Sequence, residues 1–454
     1  MTPPPAMNQI NKTKTDFSLI IDGRILSHVI YKNANRSGIY FASLNMIMQL
    51  AKLHKIYLYT DLSSDAIIKE HFSGFSYIQK RSKLFSLVSK AYAFRPKIKE
   101  RTILRKAFSA TLLVLTRFFR ERSLDLPKNS IFLSTFLAIP DYLREQKNLI
   151  KFIYLHDCIP FVLPQYFPKK GLVKKSLGGV DWWLELAKDM RSDYYYFANS
   201  KYTKSDFLKI FPNLHDDNIE IAYLGADAEL FHPDFDISKN AKIKEKYNIP
   251  ADKSYIFTLH SIDPRKNLEF TTSVFIKYLT SHSISDLVFV MGGGLNVDLA
   301  NKIKENCIKV AKDQGIKDPE DFVKNHIIFA GYIYDFDIAN LFSHCFCSIY
   351  LSTYEGFGMP ALEALACAAP VIASSTTSLP EVVGDGGLLV DPTNEAELLD
   401  ALYKIYFDAD LRNSLCKRAL IQASKFSWEE SAKKMHSKMQ LAFVESHKNK
   451  GAKS

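Results

Sequence analysis

The segment that reads Ser352-Thr-Tyr-Glu355-Gly-Phe-Gly358-Met-Pro360-Ala-Leu-Glu363 places a glycine-rich turn between two glutamates. Gly356 and Gly358 allow the backbone to turn tightly and to approach a ligand closely, and Pro360 is preorganised for the first turn of a helix. A helix N-terminus presents unpaired N–H groups and the positive end of its dipole. The segment therefore predicts an anion site, suited to a diphosphate, between the two carboxylates.

Each glutamate has its own side of that predicted site. Glu355 in the turn can reach hydroxyl groups on one side of the phosphates, and Glu363, one helical turn in, can reach hydroxyl groups on the other. Two simpler interpretations stay open at this point. Glu363 could only complement the helix dipole, and Glu355 could be a solvated loop charge.

Short apolar runs flank the turn and recur along the chain. The run Cys345–Leu351 predicts a buried strand whose carboxyl end carries the turn, which is where open parallel sheets bind ligands. Further strands are predicted at 17–21, 56–59, 130–133, 152–155, 219–223, 255–259, 287–291, 327–330 and 370–373. Helical patterns separate them, so the fold class is α/β with doubly wound parallel sheets.

Several separated motifs now support a family resemblance. They are Ser261–Asn267, Phe289–Gly294, Ile328–Tyr332, the paired glutamates, Ser378–Glu381 and Phe426–Trp428. In this order they resemble the retaining family-4 glycosyltransferases of the GT-B fold. The resemblance implies two Rossmann-like domains that face a central cleft, and a sugar transferred from a nucleotide-sugar donor with no metal or other cofactor required.

The resemblance also implies roles for individual residues. Glu355 would contact the transferred sugar, and Glu363 would hold the ribose hydroxyls. Arg265 grips phosphate oxygens in its planar fork and Lys266 offers a compact charge, so together they can neutralise a departing diphosphate. The implied catalytic residues are Glu355, His156, Arg265 and Lys266. The implied donor-binding residues are Gly38, Arg265, Lys266, Gly293, Tyr332, Glu355, Gly356, Phe357, Gly358, Met359, Pro360 and Glu363.

Two of these residues belong to the N-terminal half. His156 directly follows an apolar strand, and in similar enzymes a histidine at this point faces the donor sugar, where it would hydrogen-bond a hydroxyl group. A histidine that only caps the turn after the strand is the alternative. Gly38 stands where the family carries a glycine-bearing loop near the donor phosphates or the acceptor. The family often has two adjacent glycines, whereas this chain has Ser37-Gly38. Ser378 and Glu381 read as a capping box.

Chain length favours two domains, because 454 residues exceed what one hydrophobic core usually organises. The predicted division has a flexible tail at 1–16 and an acceptor-binding Rossmann-like domain at 17–225. A linker with the donor-binding Rossmann-like domain follows at 226–425. The last part, 426–454, is a C-terminal helix that can pack back on the N-terminal domain, with a tail.

Charge concentrates in one part of the chain. The formal net charge is +10, and the segment 80–122 holds many lysines and arginines interleaved with apolar residues. This basic amphipathic insert suits an anionic membrane surface or a lipid-diphosphate acceptor. A solvated helix that covers the sheet is one alternative. Nucleic acid is another, and no recognition motif supports it.

The remaining signals concern location. The six cysteines lack zinc or redox spacing, which indicates free thiols in a reducing compartment. The N-terminus offers no export signal, and the apolar run 107–119 is shorter than the roughly 20 residues that span a bilayer. We therefore expect a cytoplasmic protein, peripheral at the inner face of the cell membrane.

Three classes of function follow. The first is a glycosyltransferase that extends a lipid-linked glycan of the lipopolysaccharide, O-antigen or capsule type, in contact with polysaccharide-assembly proteins. The second is an enzyme of the same fold that uses a UDP-sugar and a soluble acceptor. The third is a non-catalytic protein that binds nucleotide-sugars or membranes. The stretch from His156 to Phe167 looks most like surface-polysaccharide mannosyl- and rhamnosyltransferases, which favours GDP-mannose over other GDP- and UDP-sugars.

Overall fold

The computed structural model describes residues 17–29, 38–61, 64–72, 74–78, 87, 90, 126–166, 180–259, 263–294 and 297–451. The predicted tail at 1–16 lies outside these residues, as does the basic insert at 80–122 apart from Leu87 and Lys90. The described chain divides into two compact units. Unit 1 comprises the residues up to Asn199, Thr203–Ala222 and the residues from Trp428, and unit 2 comprises Ser200–Tyr202 and Tyr223–Ser427.

Unit 1 is built on a parallel sheet. In the described residues its strand order is β3-β2-β1-β4-β5-β6-β7. The strands are β1 Ser18–Asp22, β2 Ile56–Tyr59, β3 Ser76–Tyr77, β4 Ser130–Ser134, β5 Ile150–Leu155, β6 Tyr195–Ala198 and β7 Ile219–Ile221. Every residue of β4 is buried, as expected of a parallel strand covered on both faces.

Helices complete unit 1. They are Gly38–Leu53, Asp65–His71, Asp141–Arg144, Ile159–Val162, Val180–Ala187, Lys201–Ile210 and Trp428–Gly451, with short 3-10 turns at Arg24–Val29, Pro164–Tyr166 and Asp216–Asn218. The helix Trp428–Gly451 returns to unit 1 from the far end of the chain and packs along the helix Gly38–Leu53. Phe17 packs against it, with its ring 5.7 Å from that of Phe443.

A pair of histidines joins this returning helix to the rest of unit 1. His436 Nδ1 lies 2.8 Å from His54 Nε2, and the Phe17 ring packs 5.0 Å from the His54 ring. Burial, followed by the proximity of His436, lowers the pKa of His54 to about 4, and burial also lowers the pKa of His436. Both rings are therefore neutral near pH 7, when one can donate the shared hydrogen bond to the other.

Acidification is expected to loosen the helix Trp428–Gly451. The unfolded chain takes up a proton on His54 near pH 6.5, whereas the folded pKa is about 4, so stability is lost as the pH falls through this window. At about 1.4 kcal/mol per pH unit, the loss at pH 5 is about 2 kcal/mol. The protection factors of the helix amides against hydrogen exchange should therefore fall about thirtyfold more between pH 7 and pH 5 in the wild type than in His54→Leu. Equal pH dependence in the two proteins would contradict the role of the pair.

Unit 2 repeats the architecture with another parallel sheet. In the described residues its order is β10-β9-β8-β11-β12-β13. The strands are β8 Ser254–Leu259, β9 Leu287–Gly292, β10 Ile327–Gly331, β11 Cys347–Tyr350, β12 Val371–Ser374 and β13 Gly387–Val390. The order reverses between β8 and β11, which are hydrogen-bonded neighbours. That reversal is the switch point at which doubly wound sheets bind ligands.

Helices cover both faces of this second sheet. They are Ile237–Lys246, Leu268–Ser281, Val297–Asp313, Pro319–His326, Asp335–His344, Met359–Ala366, Leu379–Val383, Glu395–Phe407 and Ala409–Ala423, with 3-10 turns at Pro264–Lys266 and Gly384–Gly386. Two apolar clusters form its core. One includes Phe275, Phe289 and Leu402, and the other includes Phe257, Phe342 and Leu365.

These sheets confirm the predicted fold class of two Rossmann-like units. The cysteines are free, and all except the half-buried Cys416 are buried. Within the described part of the chain, none of the helices combines the length and the apolar character needed to cross a bilayer.

Candidate functional site

The switch point of unit 2 gathers the charged residues of two separate motifs. Arg265 and Lys266 follow the carboxyl end of β8, and Glu355 follows the carboxyl end of β11. Because the two strands are neighbours and parallel, their carboxyl ends lie side by side. Residues about 90 positions apart in sequence therefore meet at one edge of the sheet.

A short turn directs the two basic side chains. Asp263 Oδ1 accepts a hydrogen bond from the Arg265 amide at 2.9 Å, and the 3-10 turn Pro264–Lys266 begins at a proline. Asn267 ends this turn in the left-handed conformation with φ 59°. The turn leaves Lys266 only 8% exposed, so its ammonium group lies against the protein. Residues 260–262 lie outside the described chain.

Glu355 is the centre of the cluster. Its Oε1 atom accepts hydrogen bonds from Lys266 Nζ at 2.5 Å and from Ser352 Oγ at 2.6 Å. The Tyr350 hydroxyl donates to the same oxygen at 3.0 Å, and Arg265 Nη1 lies 3.0 Å from it. Glu355 is 8% exposed, so this network is almost fully removed from water. The interpretation of Glu355 as a solvated loop charge is therefore wrong.

The neighbours of Glu355 fix its protonation state. Burial alone would raise its pKa, but Lys266 and Arg265 more than offset burial and lower the pKa to about 2. Burial lowers the pKa of Lys266, and the attraction of Glu355 opposes that shift. Near pH 7 Glu355 is therefore a carboxylate and a poor proton acceptor, which suits electrostatic stabilisation better than base catalysis.

The glycine turn after Glu355 is held in place from the following loop. Gly358 adopts φ 105°, and a Cβ atom there would lie 2.5 Å from Leu379 Cδ2, so only glycine fits. Ser378 Oγ donates to the carbonyls of Glu355 and Phe357 at 3.0 and 2.8 Å. Ser378 thus braces the turn, and the predicted capping box is wrong, because this hydroxyl does not cap the helix Leu379–Val383.

The turn opens the helix Met359–Ala366, with Pro360 in its first turn. In the described structure the backbone amides of Phe357, Gly358 and Met359 donate to no partner. Successive free amides at a helix N-terminus are the groups that bind phosphate oxygens. The predicted anion-binding backbone is therefore present beside the Lys266 and Glu355 pair.

Glu363 lies one turn into that helix and is half-buried. Its carboxylate accepts no hydrogen bond from any described residue. Burial, together with the charges of Asp335 and Asp227, raises the pKa of Glu363 to about 8. A carboxyl group with a raised pKa and no hydrogen-bond donor among the described residues can accept a hydrogen bond from a ligand hydroxyl.

The remaining predicted residues of unit 2 lie at the neighbouring strand ends. Gly293 follows β9 with φ 130°, and its amide donates to the Gly331 carbonyl at the end of β10 at 2.7 Å. Tyr332 follows β10, is 57% exposed and packs its ring 5.5 Å from that of Tyr334. These residues share the carboxyl edge of the sheet with Lys266, and in the described structure they make no hydrogen bond to it.

Unit 1 holds the other two predicted residues. Gly38 begins the helix Gly38–Leu53 and has open space around its Cα atom. His156 follows β5 and is buried, with Nε2 2.7 Å from the Thr135 carbonyl. Burial lowers the pKa of His156 to about 4. Since a carbonyl only accepts, Nε2 carries the hydrogen and Nδ1 is the acceptor of this neutral ring.

Sequence reasoning missed Tyr350 and Ser352 as members of the site. Tyr350 is the last residue of β11 and reads as an apolar strand position. Its hydroxyl lies between Lys266 and Glu355, which only the fold reveals. Among the described residues, no group of histidine, cysteine, aspartate and glutamate side chains is arranged to hold a metal ion.

Comparison with known families identifies the class of unit 2. Residues 239–421 match the sequence model of the family described as glycosyl transferases group 1. This part of the chain is a glycosyl transferases group 1 domain, and the family resemblance drawn from the motifs is confirmed at that level.

Two curated relatives from Escherichia coli are similar over parts of the chain. The serotype-specific mannosyltransferase WbdA is 30% identical over 203 residues, which cover 44% of this chain and 23% of the relative. The O-antigen chain mannosyltransferase B is 27% identical over 278 residues, which cover 60% of this chain and 66% of the relative. The match thus spans less than a quarter of WbdA and about two thirds of the second protein.

A solved structure is similar in fold over most of the chain. The crystal structure of Anabaena Alr3699/HepE in complex with UDP and glucose superimposes with a TM-score of 0.57 over 93% of this chain and 98% of that one. At 16% identity the likeness concerns the fold, and it supports the GT-B architecture.

Proposed function

We propose that this protein is a retaining glycosyltransferase of family 4. It transfers a sugar, with GDP-mannose favoured as donor, to a growing lipid-linked glycan of the lipopolysaccharide, O-antigen or capsule type. One observation carries the proposal. A buried lysine, a partly buried arginine, a buried carboxylate and free helix amides meet at the switch point of a glycosyl transferases group 1 domain.

The transfer breaks the bond between the anomeric carbon and a phosphate oxygen, and negative charge grows on the departing diphosphate. Arg265 and Lys266, with the free amides before Pro360, can bind those oxygens and stabilise that charge. The acceptor hydroxyl oxygen forms the new bond to the anomeric carbon, and its proton leaves with a diphosphate oxygen. This scheme needs no metal, because the fixed cations and backbone amides stabilise the charge on the departing diphosphate.

Glu355 supports the same step from the sugar side. As a carboxylate with a pKa near 2, it can stabilise positive charge on the sugar ring while the old bond breaks. Attack from the face that the leaving group vacates then retains the anomeric configuration. Glu355 acts here through its charge and takes up no proton.

The other residues bind the remaining parts of the donor. Glu363 accepts hydrogen bonds from the ribose hydroxyls, and Gly293 and Tyr332 line the side of the nucleobase. Gly356, Phe357, Gly358 and Met359 form the backbone cradle for the phosphates. In unit 1, His156 Nδ1 accepts a hydrogen bond from a sugar hydroxyl, and Gly38 borders the donor phosphates or the acceptor.

The donor and acceptor follow from the relatives. Both E. coli relatives are named as mannosyltransferases, and the name of one refers to an O-antigen chain, which supports mannose as the sugar and a surface glycan as the acceptor. We further propose that the basic insert at 80–122 brings the protein to the inner face of the cell membrane, beside polysaccharide-assembly proteins. Its clustered lysines and arginines would attract anionic lipids.

A nucleotide-sugar panel tests the proposal. A ligand that binds only the folded protein raises its stability, so the melting temperature should rise most with GDP-mannose among GDP- and UDP-sugars. When a lipid-linked acceptor is added together with GDP-mannose, the protein should release GDP. Preference for a UDP-sugar with a soluble acceptor would favour the second class of function. Binding without turnover of any donor would favour the non-catalytic class, and co-sedimentation with anionic vesicles tests the membrane contact.

A further inference from the structure

We infer that Tyr350 is a positioning residue that fixes the Lys266 ammonium group and the Glu355 carboxylate in place. One oxygen of Glu355 then accepts hydrogen bonds from the protein, and the other is left to interact with the ligand. This inference rests on the proposed function, since it concerns the same site. It adds a residue that neither the motifs nor the family comparison assigns.

The geometry gives Tyr350 two partners at once. Its hydroxyl accepts a hydrogen bond from Lys266 Nζ at 2.6 Å and donates to Glu355 Oε1 at 3.0 Å. The ring lies beneath the same ammonium group, 4.9 Å from Nζ to the ring centre. Tyr350 is 3% exposed and sits at the end of β11, so packing fixes the ring before any ligand arrives.

The two oxygens of Glu355 are used unequally. Lys266, Tyr350 and Ser352 each donate a hydrogen bond to Oε1 at 3.0 Å or less, and Arg265 Nη1 forms an ion pair with the same oxygen at 3.0 Å. Within the described part of the chain, Oε2 accepts no hydrogen bond. The protein therefore saturates one oxygen and leaves the other, which carries half of the delocalised charge, for the sugar.

The N–H donors of Lys266 are likewise shared between the protein and the ligand. Its ammonium group has three N–H donors. Tyr350 and Glu355 take two of them, and no other described residue accepts a hydrogen bond from Nζ. The third donor remains for a phosphate oxygen. Tyr350 thus orients both groups, and its loss would let the ammonium group and the carboxylate move out of this arrangement.

Tyr350→Phe removes the hydroxyl and keeps the ring. Because Tyr350 acts on positions and touches no substrate, we expect kcat to fall about tenfold to thirtyfold while the KM for the donor changes less than about threefold. Tyr255→Phe is the control. Tyr255 is also a buried strand tyrosine of unit 2, and its hydroxyl donates to the Leu341 carbonyl at 2.9 Å. This control should leave kcat within about twofold of the wild type.

A double-mutant cycle separates positioning from general damage. If Tyr350 works through Glu355, the change Tyr350→Phe should cost less than about twofold in a Glu355→Gln background. A full tenfold loss in that background, or wild-type kcat in Tyr350→Phe alone, would overturn the inference. Both outcomes leave the proposed function standing, since the wild type is active in each.

A crystal structure of each protein without ligand supplies a readout that needs no turnover. In Tyr350→Phe we expect Glu355 to adopt a second rotamer, or Lys266 Nζ to lie more than about 3.5 Å from Oε1. An unchanged cluster would overturn the inference. If instead the wild type turns over no donor, the proposed function fails, and the crystal structures still decide whether Tyr350 positions the cluster.

Discussion

Glu355→Gln is expected to reduce sugar transfer by about 10²–10³-fold while the protein stays folded, the range seen when one stabiliser of transition-state charge is removed. Glutamine keeps an acceptor oxygen for Tyr350 and Ser352 but loses the negative charge that faces the sugar ring. Initial rates with the donor found by the panel measure the effect, and circular dichroism measures the folding. Lys266→Ala should also abolish transfer, since it removes the cation that receives the departing diphosphate.

Glu395→Gln is the matched control for that experiment. Glu395 is likewise a carboxylate of unit 2 that pairs with a lysine, at 2.7 Å from Lys277 Nζ, but in the described structure it forms no hydrogen bond or ion pair with Lys266 or Arg265. Its loss should leave the rate within about twofold. Wild-type turnover in Glu355→Gln would remove Glu355 from the mechanism. If Glu355→Gln does not fold, Glu355→Asp takes its place in the experiment, because aspartate keeps the negative charge on a shorter side chain.

Glu363→Gln should stabilise unit 2 in alkaline buffer and weaken donor binding. The folded protein keeps its proton on Glu363 up to a pKa of about 8, whereas the unfolded chain loses it near pH 4.5. The unfolded state therefore binds fewer protons between these values, and the stability of the wild type falls as the pH rises through this window. Because Glu363 is half-buried, solvent screens part of the effect, and we expect about 2 kcal/mol at pH 8.

Urea denaturation at pH 6 and pH 8 measures that difference. The free energy of unfolding of the wild type should fall between the two values, and that of Glu363→Gln should change less. The surface variant Glu245→Gln should follow the wild type. At pH 9, where Glu363 is ionised, donor affinity should fall about tenfold in Glu363→Gln, because a hydrogen bond to a charged group contributes about 1.5–3 kcal/mol. Tighter donor binding by the variant would contradict the role of Glu363 at the ribose.

The fold could be predicted because its signals are local. Apolar runs located most strands of the described chain within a few residues, as at Ile56–Tyr59, whereas β3 and β13 were not predicted, and the glycine turn located the helix that begins at Met359. The side on which Arg265 and Lys266 lie also followed, since carboxyl ends of parallel strands share an edge. The family match confirmed the class of domain that these motifs indicate.

The arrangement inside the site could not be predicted, because it depends on contacts between distant residues. Tyr350 and Lys266 are 84 positions apart, and no periodicity relates a strand tyrosine to a loop lysine. Ser378 and Glu381 matched a local capping pattern, but tertiary contacts decided the outcome. Ser378 braces the glycine turn, and Glu381 accepts a hydrogen bond from the Tyr223 hydroxyl at 2.5 Å.

The return of the helix Trp428–Gly451 to unit 1 sets an order for biosynthesis. Domains generally fold as units while the ribosome extends the chain from its N-terminus. Unit 2 is nearly continuous, from Tyr223 to Ser427, so almost all of its residues emerge in one passage. Unit 1 cannot complete its packing until His436 and Phe443 have been translated, because these residues cover Phe17 and His54. The first part of the protein to be made is therefore the last to be finished.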